Sequence, residues 1–181
     1  MKLLLDACVL FPMVTREILT AYARAGGFQP LWSARIVEEW ARSAASKLGP
    51  EEEIRARGDA ALMAAWFPAA RVDGWENRVG EVWSPDPADV HVVAAALAGE
   101  ADAIVTFNIR DFPLKSLRPH GIARLHPDEY LAVALRGGDK RLADVLAPLA
   151  AQAEARGAGF RAFLKRGAMP RLGKAWEAIT A

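Results

Sequence analysis

Apolar positions along this chain recur with two periods, one of strands and one of helices. Residues 2–5, KLLL, are a short apolar run closed by Asp6, the pattern of a parallel strand buried on both faces. Pro12 opens a stretch in which Ile18, Leu19, Tyr22 and Ala23 share a helical face, and Gly26 and Gly27 stop it. Ser33 has the type and position of an N-cap for a second helix, which carries Ile36, Val37 and Trp40 on one side and closes at Gly49-Pro50. Glu51 to Trp66 predicts a third helix ending at Pro68, and Ala70 to Val72 a weak strand. A polar loop, WSPDPAD, leads into the helix HVVAAALAGE. Ala103 to Phe107 predicts a buried strand and Ile122 to Leu125 one more. A helix follows from near Pro127, with Asp128 and Glu129 in its first turn, where the helix dipole favours acids.

Strands alternating with helices predict the α/β class: a three-layer fold with a central parallel sheet, whose functional site lies beyond the carboxyl ends of the strands. Beyond Gly137-Gly138 the pattern is purely helical, with Pro148, Gly157 and Pro170 as breaks. The expected organisation is therefore a domain over residues 1–137 and a helical, basic C-terminal extension over 138–181.

Composition narrows this further. With 181 residues, 52% hydrophobic and 25% charged, the chain can bury a core without covalent staples. Its single cysteine, Cys8, closes no intrachain disulfide, which makes the cytoplasm the default location. Asp6 interrupts the apolar N-terminus, so a signal peptide fits poorly, and no stretch reaches the roughly 20 apolar residues needed to span a bilayer. Trp32, Trp40, Trp66 and Trp75 lie in apolar patterns and read as packing. The net charge of +1 names no partner, but residues 151–181 carry six basic and two acidic side chains. Arg161, Lys165 and Arg166 in that segment are candidates for contact with phosphates, a solvated helix face being the alternative.

Four acids occupy a telling order: Asp6 at a strand end, Glu39 within a helix, Asp89 at a helix start, and Asp111 in the loop after AIVTF. Each alone has an ordinary reading as a turn, cap or surface residue. Together they can converge at one rim of a parallel sheet, where clustered carboxylates resist joint ionisation unless a cation compensates them. An all-oxygen set without a His/Cys grouping suits Mg²⁺ or Mn²⁺ better than Zn²⁺. His91 falls two positions after Asp89 and points away from it on a helix, which favours packing or hydrogen bonding over ligation.

The segments LLLDACVLFP, WSARIVEEW, SPDPADVHVVAAALAGEADAIVTFNIRDFP and HPDEYL resemble the PIN-domain family, in particular its VapC-like toxins, over about residues 1 to 135. The resemblance implies an acidic pocket binding Mg²⁺ or Mn²⁺ and endonuclease activity on RNA that leaves a 5′-phosphate and a 3′-hydroxyl. By position it makes Asp6, Glu39, Asp89 and Asp111 the catalytic acids, and Asp6, Asp89 and Asp111 the metal ligands. Asp86 and Asn108 are additional candidate ligands, and Thr106 is the supporting hydroxyl. Arg110, beside the acidic loop, is a candidate for holding the RNA backbone. A cognate antitoxin and a homodimer are further implications. The chain departs from the family pattern at Asn108, where many members carry Asp, and at Cys8, where Asn or Ser is common.

Two rival functions remain open at this point. A PIN-like module weakened by Asn108 could bind RNA or a protein without cutting. A haloacid-dehalogenase-like phosphatase would use LLLDACVL as its nucleophile strand, but it needs a second acid where Cys8 stands. A dinucleotide site lacks its G-x-G-x-x-G after any strand.

Overall fold

The computed structural model describes residues 1–180. It contains a four-stranded sheet of β1 (Lys2–Leu5), β2 (Gln29–Leu31), β3 (Ala103–Val105) and β4 (Ala123–Leu125), ordered β2-β1-β3-β4 with every pairing parallel. Leu3, Leu4 and Leu5 are fully buried. Neighbouring strand residues face opposite sides, so both faces of the sheet are covered at β1. The helices are α1 (Ala7–Leu10), α2 (Met13–Arg24), α3 (Ala34–Leu48), α4 (Pro50–Trp66), α5 (Val90–Ala98), α6 (Leu114–Leu117), α7 (Pro127–Arg136), α8 (Lys140–Ala155), α9 (Phe160–Arg166) and α10 (Pro170–Thr180). This is the expected α/β class with a central parallel sheet and a helical C-terminal region.

Contacts group the chain into two compact units, residues 1–11 with 28–125, and residues 12–27 with 126–181. The first holds the sheet and α1, α3, α4, α5 and α6. There Ser33 caps α3 by accepting the Ile36 N–H at 3.2 Å, and Ile36, Trp40, Ala41 and Ala44 form the helix's buried side. Gly49 joins α3 to α4 at φ +110°, a conformation that a side chain would strain. The second unit holds α2 and α7 to α10. In it Thr15 donates to the Gly167 carbonyl at 2.7 Å, and Tyr22 donates to Asp139 at 2.7 Å.

One element was missed and three local expectations need correction. β2 escapes the hydrophobic pattern because it is three residues long and holds Pro30, which is tolerated on an edge strand where its missing N–H breaks no ladder. Ala70 to Val72 makes a single bridge, Trp32 to Arg71, and no strand. Pro148 lies inside α8 without ending it, since Leu142, Leu146, Ala150 and Ala153 bury a continuous face on both sides of it. Trp66 is 44% exposed and so is not core packing, whereas Trp32 and Trp40 are buried. Among the described residues, no helix is long and apolar enough to cross a membrane.

Candidate functional site

The acids predicted to act together all belong to the first unit, on segments that leave the carboxyl ends of β1 and β3 or on α3 and the start of α5. Asp6 follows β1, and its N–H is bound to the Val105 carbonyl at 3.1 Å, which pins it to the end of β3. Asp6 is 6% exposed. Oδ2 accepts from Thr106 Oγ1 at 2.7 Å and from Cys8 Sγ at 3.0 Å. Thr106 Oγ1 in turn accepts the Asn108 N–H at 2.9 Å, and Cys8 Sγ accepts the Phe107 N–H at 3.2 Å. A small network thus ties the first acid to the turn after β3.

Cys8, which stands where the family pattern commonly has Asn or Ser, is part of this network. Burial, and then the charge and hydrogen bond of Asp6, push its thiol up to about 12. At neutral pH it is an S–H donor to Asp6, and neither a thiolate ligand nor a nucleophile.

The segment 108–112 is a turn closed by the Asp111 N–H on the Asn108 carbonyl at 3.0 Å. Its far side is held by Arg124 of β4, whose Nη1 donates to the carbonyls of Ile109 and Phe112 at 2.7 and 2.8 Å. Phe112 is fully buried and anchors the turn, while Asn108 and Arg110 are exposed on it. Ser84 donates to the Asp111 carbonyl at 3.1 Å and binds the preceding loop to the same place. Arg124 and Ser84 gave no signal in sequence, because each acts on a backbone carbonyl far along the chain.

Asp89 ends a 3-10 turn, Pro87–Asp89, that Asp86 caps by accepting the Ala88 N–H at 2.8 Å. Asp89 stands at the N-cap of α5 yet makes no side-chain cap bond there. Its carboxyl is pushed up to about 6, first by burial and then by the charges of Asp6, Asp86, Asp111 and Glu39. The charges of four other carboxylates thus act on Asp89.

On α3 the neighbours Glu38 and Glu39 part company. Arg57 and Arg42 hold Glu38 down to about 2, making it part of an exposed ion network with α4. Glu39 points Oε1 to within 2.8 Å of His91 Nε2 and 3.5 Å of Arg35 Nε. His91 is 2% exposed and meets the Trp75 ring edge-on at 5.8 Å, with the Arg35 guanidinium 5.9 Å from that ring. Neither imidazole nitrogen makes an aligned hydrogen bond, so the approach to Glu39 is close but not directional.

Among the described residues, no three His, Cys, Asp or Glu side chains are closed up enough to grip an ion as they stand. The donor chemistry nonetheless fits a hard cation: the converging groups are carboxylates, the one nearby thiol is protonated, and the one nearby imidazole is buried against Glu39.

The basic candidates in the second unit are differently placed. Arg161 pairs with Glu177 at 2.9 Å, and Lys165 and Arg166 are exposed in the last turn of α9. Phe160 and Leu164 of that helix are buried, and Phe160 meets Trp176 edge-on at 5.5 Å. The apolar residues among these charges serve packing.

The PIN domain family model matches residues 2–110. A Mycobacterium tuberculosis protein named "Putative ribonuclease VapC50" is 49% identical over 43 residues, which are 24% of this chain and 25% of that protein. The chain thus spans about a quarter of that relative's length. No solved structure matches.

Proposed function

The chain belongs to the PIN-domain family, and from that premise we propose that it is a metal-dependent endoribonuclease acting through Asp6, Glu39, Asp89 and Asp111. The observation that carries this reading is the carboxyl of Asp89, raised to about 6 by burial and by the charges of Asp6, Asp86, Asp111 and Glu39. Acids that raise one another's pKa cost a fold stability unless a cation compensates them, which supports a cation site there. The name of the partial relative from Mycobacterium tuberculosis supports RNA as the substrate.

Asp6, Asp89 and Asp111 would hold Mg²⁺ or Mn²⁺, with Asp86 and Asn108 beside them. When bound, such an ion neutralises charge on the scissile phosphate and acidifies a bound water. The remaining work falls to side chains. Thr106 and Cys8 fix Oδ2 of Asp6, so that one orientation of the carboxylate is favoured before any ligand arrives. His91 and Arg35 hold Glu39, which would orient the attacking water. Arg110, exposed on the turn before Asp111, would hold the RNA backbone, with Lys165, Arg166 and Arg161 as further cations in the helical segment 138–181.

The family's VapC-like branch further suggests a toxin, kept inactive in the cytoplasm by a cognate antitoxin that covers the acidic rim, and able to form a homodimer. The phosphatase alternative is set aside, since the place of its second acid is taken by a thiol that donates to Asp6.

The test is cleavage of a panel of single-stranded RNAs with Mg²⁺ or Mn²⁺ and with EDTA. Cleavage that needs the ion and yields 5′-phosphate ends is the expected result. RNA binding without cleavage under any metal would leave the non-catalytic module as the correct reading.

A further inference from the structure

We propose that Trp83 and Lys115 form a subsite for one nucleotide of single-stranded RNA, on the two segments that flank Asp111. The inference rests on the ribonuclease reading and gives that site a substrate-positioning element. Trp83 is 51% exposed, so much of its indole is open to solvent. It lines an open cavity of about 620 Å³ together with Lys115, Ser116, His120 and Glu81, a volume in the range of small-molecule sites.

Each wall has a chemistry that suits a nucleotide. The indole offers a face for a base, and stacking of this kind needs an unpaired base. The Lys115 ammonium lies 4.7 Å from the Trp83 ring centroid. On an exposed indole that contact is weak, so a phosphate can draw the ammonium to itself. His120 can donate to or accept from a base edge. Glu81 is adverse to a phosphate, but Arg78 stands 3.3 Å from it and answers its charge.

Position joins the cavity to the acids. Trp83 is followed by Ser84, whose hydroxyl holds the Asp111 carbonyl at 3.1 Å. Lys115 lies on α6, which begins directly after Asp111, Phe112 and Pro113. Both walls are therefore fixed to the loop that carries Asp111, and a base on Trp83 would set the register of the strand across the cluster.

Fluorescence anisotropy of a short labelled single-stranded RNA, in EDTA so that binding is read without cleavage, tests this. Trp83→Ala should weaken binding roughly five- to a hundredfold, and Trp83→Phe should restore most of it. Lys115→Gln should lower the slope of log affinity against log salt by about one. In Mn²⁺, Trp83→Ala should raise KM for RNA and leave kcat near that of the parent. Duplex RNA of the same sequence should bind the parent and Trp83→Ala alike. Unchanged single-strand affinity in Trp83→Ala, with cleavage retained, would overturn the subsite and leave the nuclease reading intact. A parent protein that neither binds nor cuts RNA would overturn both.

Discussion

Asp89 and Asp128 occupy nearly the same local address, each at the start of a helix, and the chain uses them in opposite ways. Asp128 is 3% exposed, and its two oxygens accept the N–H groups of Leu172 and Arg171 at 2.8 and 3.0 Å, so it closes the open end of α10. Asp139, in the same unit, accepts from Arg141 and Tyr22 and from the first N–H groups of α8, and Arg141 above all holds its carboxyl well below the usual range. Asp89 makes no cap bond and faces other acids, and burial and their charges push it up to about 6. Donors take up both oxygens of Asp128, which is a structural arrangement, whereas Asp89 senses the charges of other acids, an arrangement that would suit a cation.

The contrast is most sharply tested by exchanging what is lost at each place. Asp6→Asn should lower RNA cleavage by more than about 100-fold, beyond the usual cost of disturbing groups that merely support a metal ligand. Its melting temperature should stay within a few degrees of the parent, because the amide oxygen can still accept from Thr106 and Cys8. Asp128→Ala should do the reverse. It strands two backbone N–H groups in a buried place and should cost about 2 kcal/mol, or roughly 4–8 °C in Tm. Cleavage at a temperature where both proteins are folded should then be close to the parent's. Equal loss of activity in the two variants, both folded, would break the division.

pH separates the two kinds of acid by sign. Asp139 has a depressed folded pKa, so its stabilisation is present above the unfolded value near 3.8 and is lost as pH falls below it. Asp89 has a raised one. At pH values below both its pKa values it is protonated folded or unfolded and costs nothing; between about 4 and about 6 the unfolded chain ionises first, and the folded protein loses stability as pH rises. In EDTA, Asp89→Asn should match the parent near pH 4 and exceed it at pH 7 by about 1 kcal/mol, a figure kept small because the group is partly solvated. Saturating Mn²⁺ should reverse the order, since only the parent binds it well and binding to the folded state raises Tm. Parallel pH curves for the two proteins in EDTA would mean that the carboxylates do not sense one another.

Much of this was legible in the chain, for physical reasons that differ by residue. The runs before Asp6 and at Ala103 to Val105 announce themselves because strands buried on both faces must be continuously apolar. Ser33 was readable because a cap is a local bond, three residues long. β2 was not, being short, proline-bearing and defined only by its pairing with β1. In the site, four acids in order suggested convergence, but nothing in sequence says that Cys8 donates to Asp6 or that Arg124 clamps the Asp111 turn. Glu38 and Glu39 are neighbours in sequence, but the turn of α3 between them sends Glu38 to Arg42 and to Arg57 of α4, and Glu39 to His91 of α5. Exposure was the hardest property to read, and Trp66 shows why: an indole in an apolar pattern is the same word whether it is covered or not.

The smallest expected effect lies at Asn108, which would be a neutral member of the proposed acidic site. Its backbone is already committed, the N–H to Thr106 Oγ1 and the carbonyl to the Asp111 N–H, so the turn does not depend on which side chain it carries. The side chain is exposed on that turn, beside Asp111. Asn108→Asp would add one charge without moving the backbone. In EDTA that charge should raise Asp89 further and shave a few tenths of a kcal/mol from stability, as for other like-charge contacts in solvent. With Mn²⁺ the sign should invert: one more carboxylate near the ion should tighten binding several-fold in titration calorimetry, because affinity at such sites follows ligand charge. The two measurements must move oppositely if Asn108 belongs to the cation site. A variant that is less stable in EDTA and binds Mn²⁺ no better would place Asn108 on the surface of the turn and outside the site.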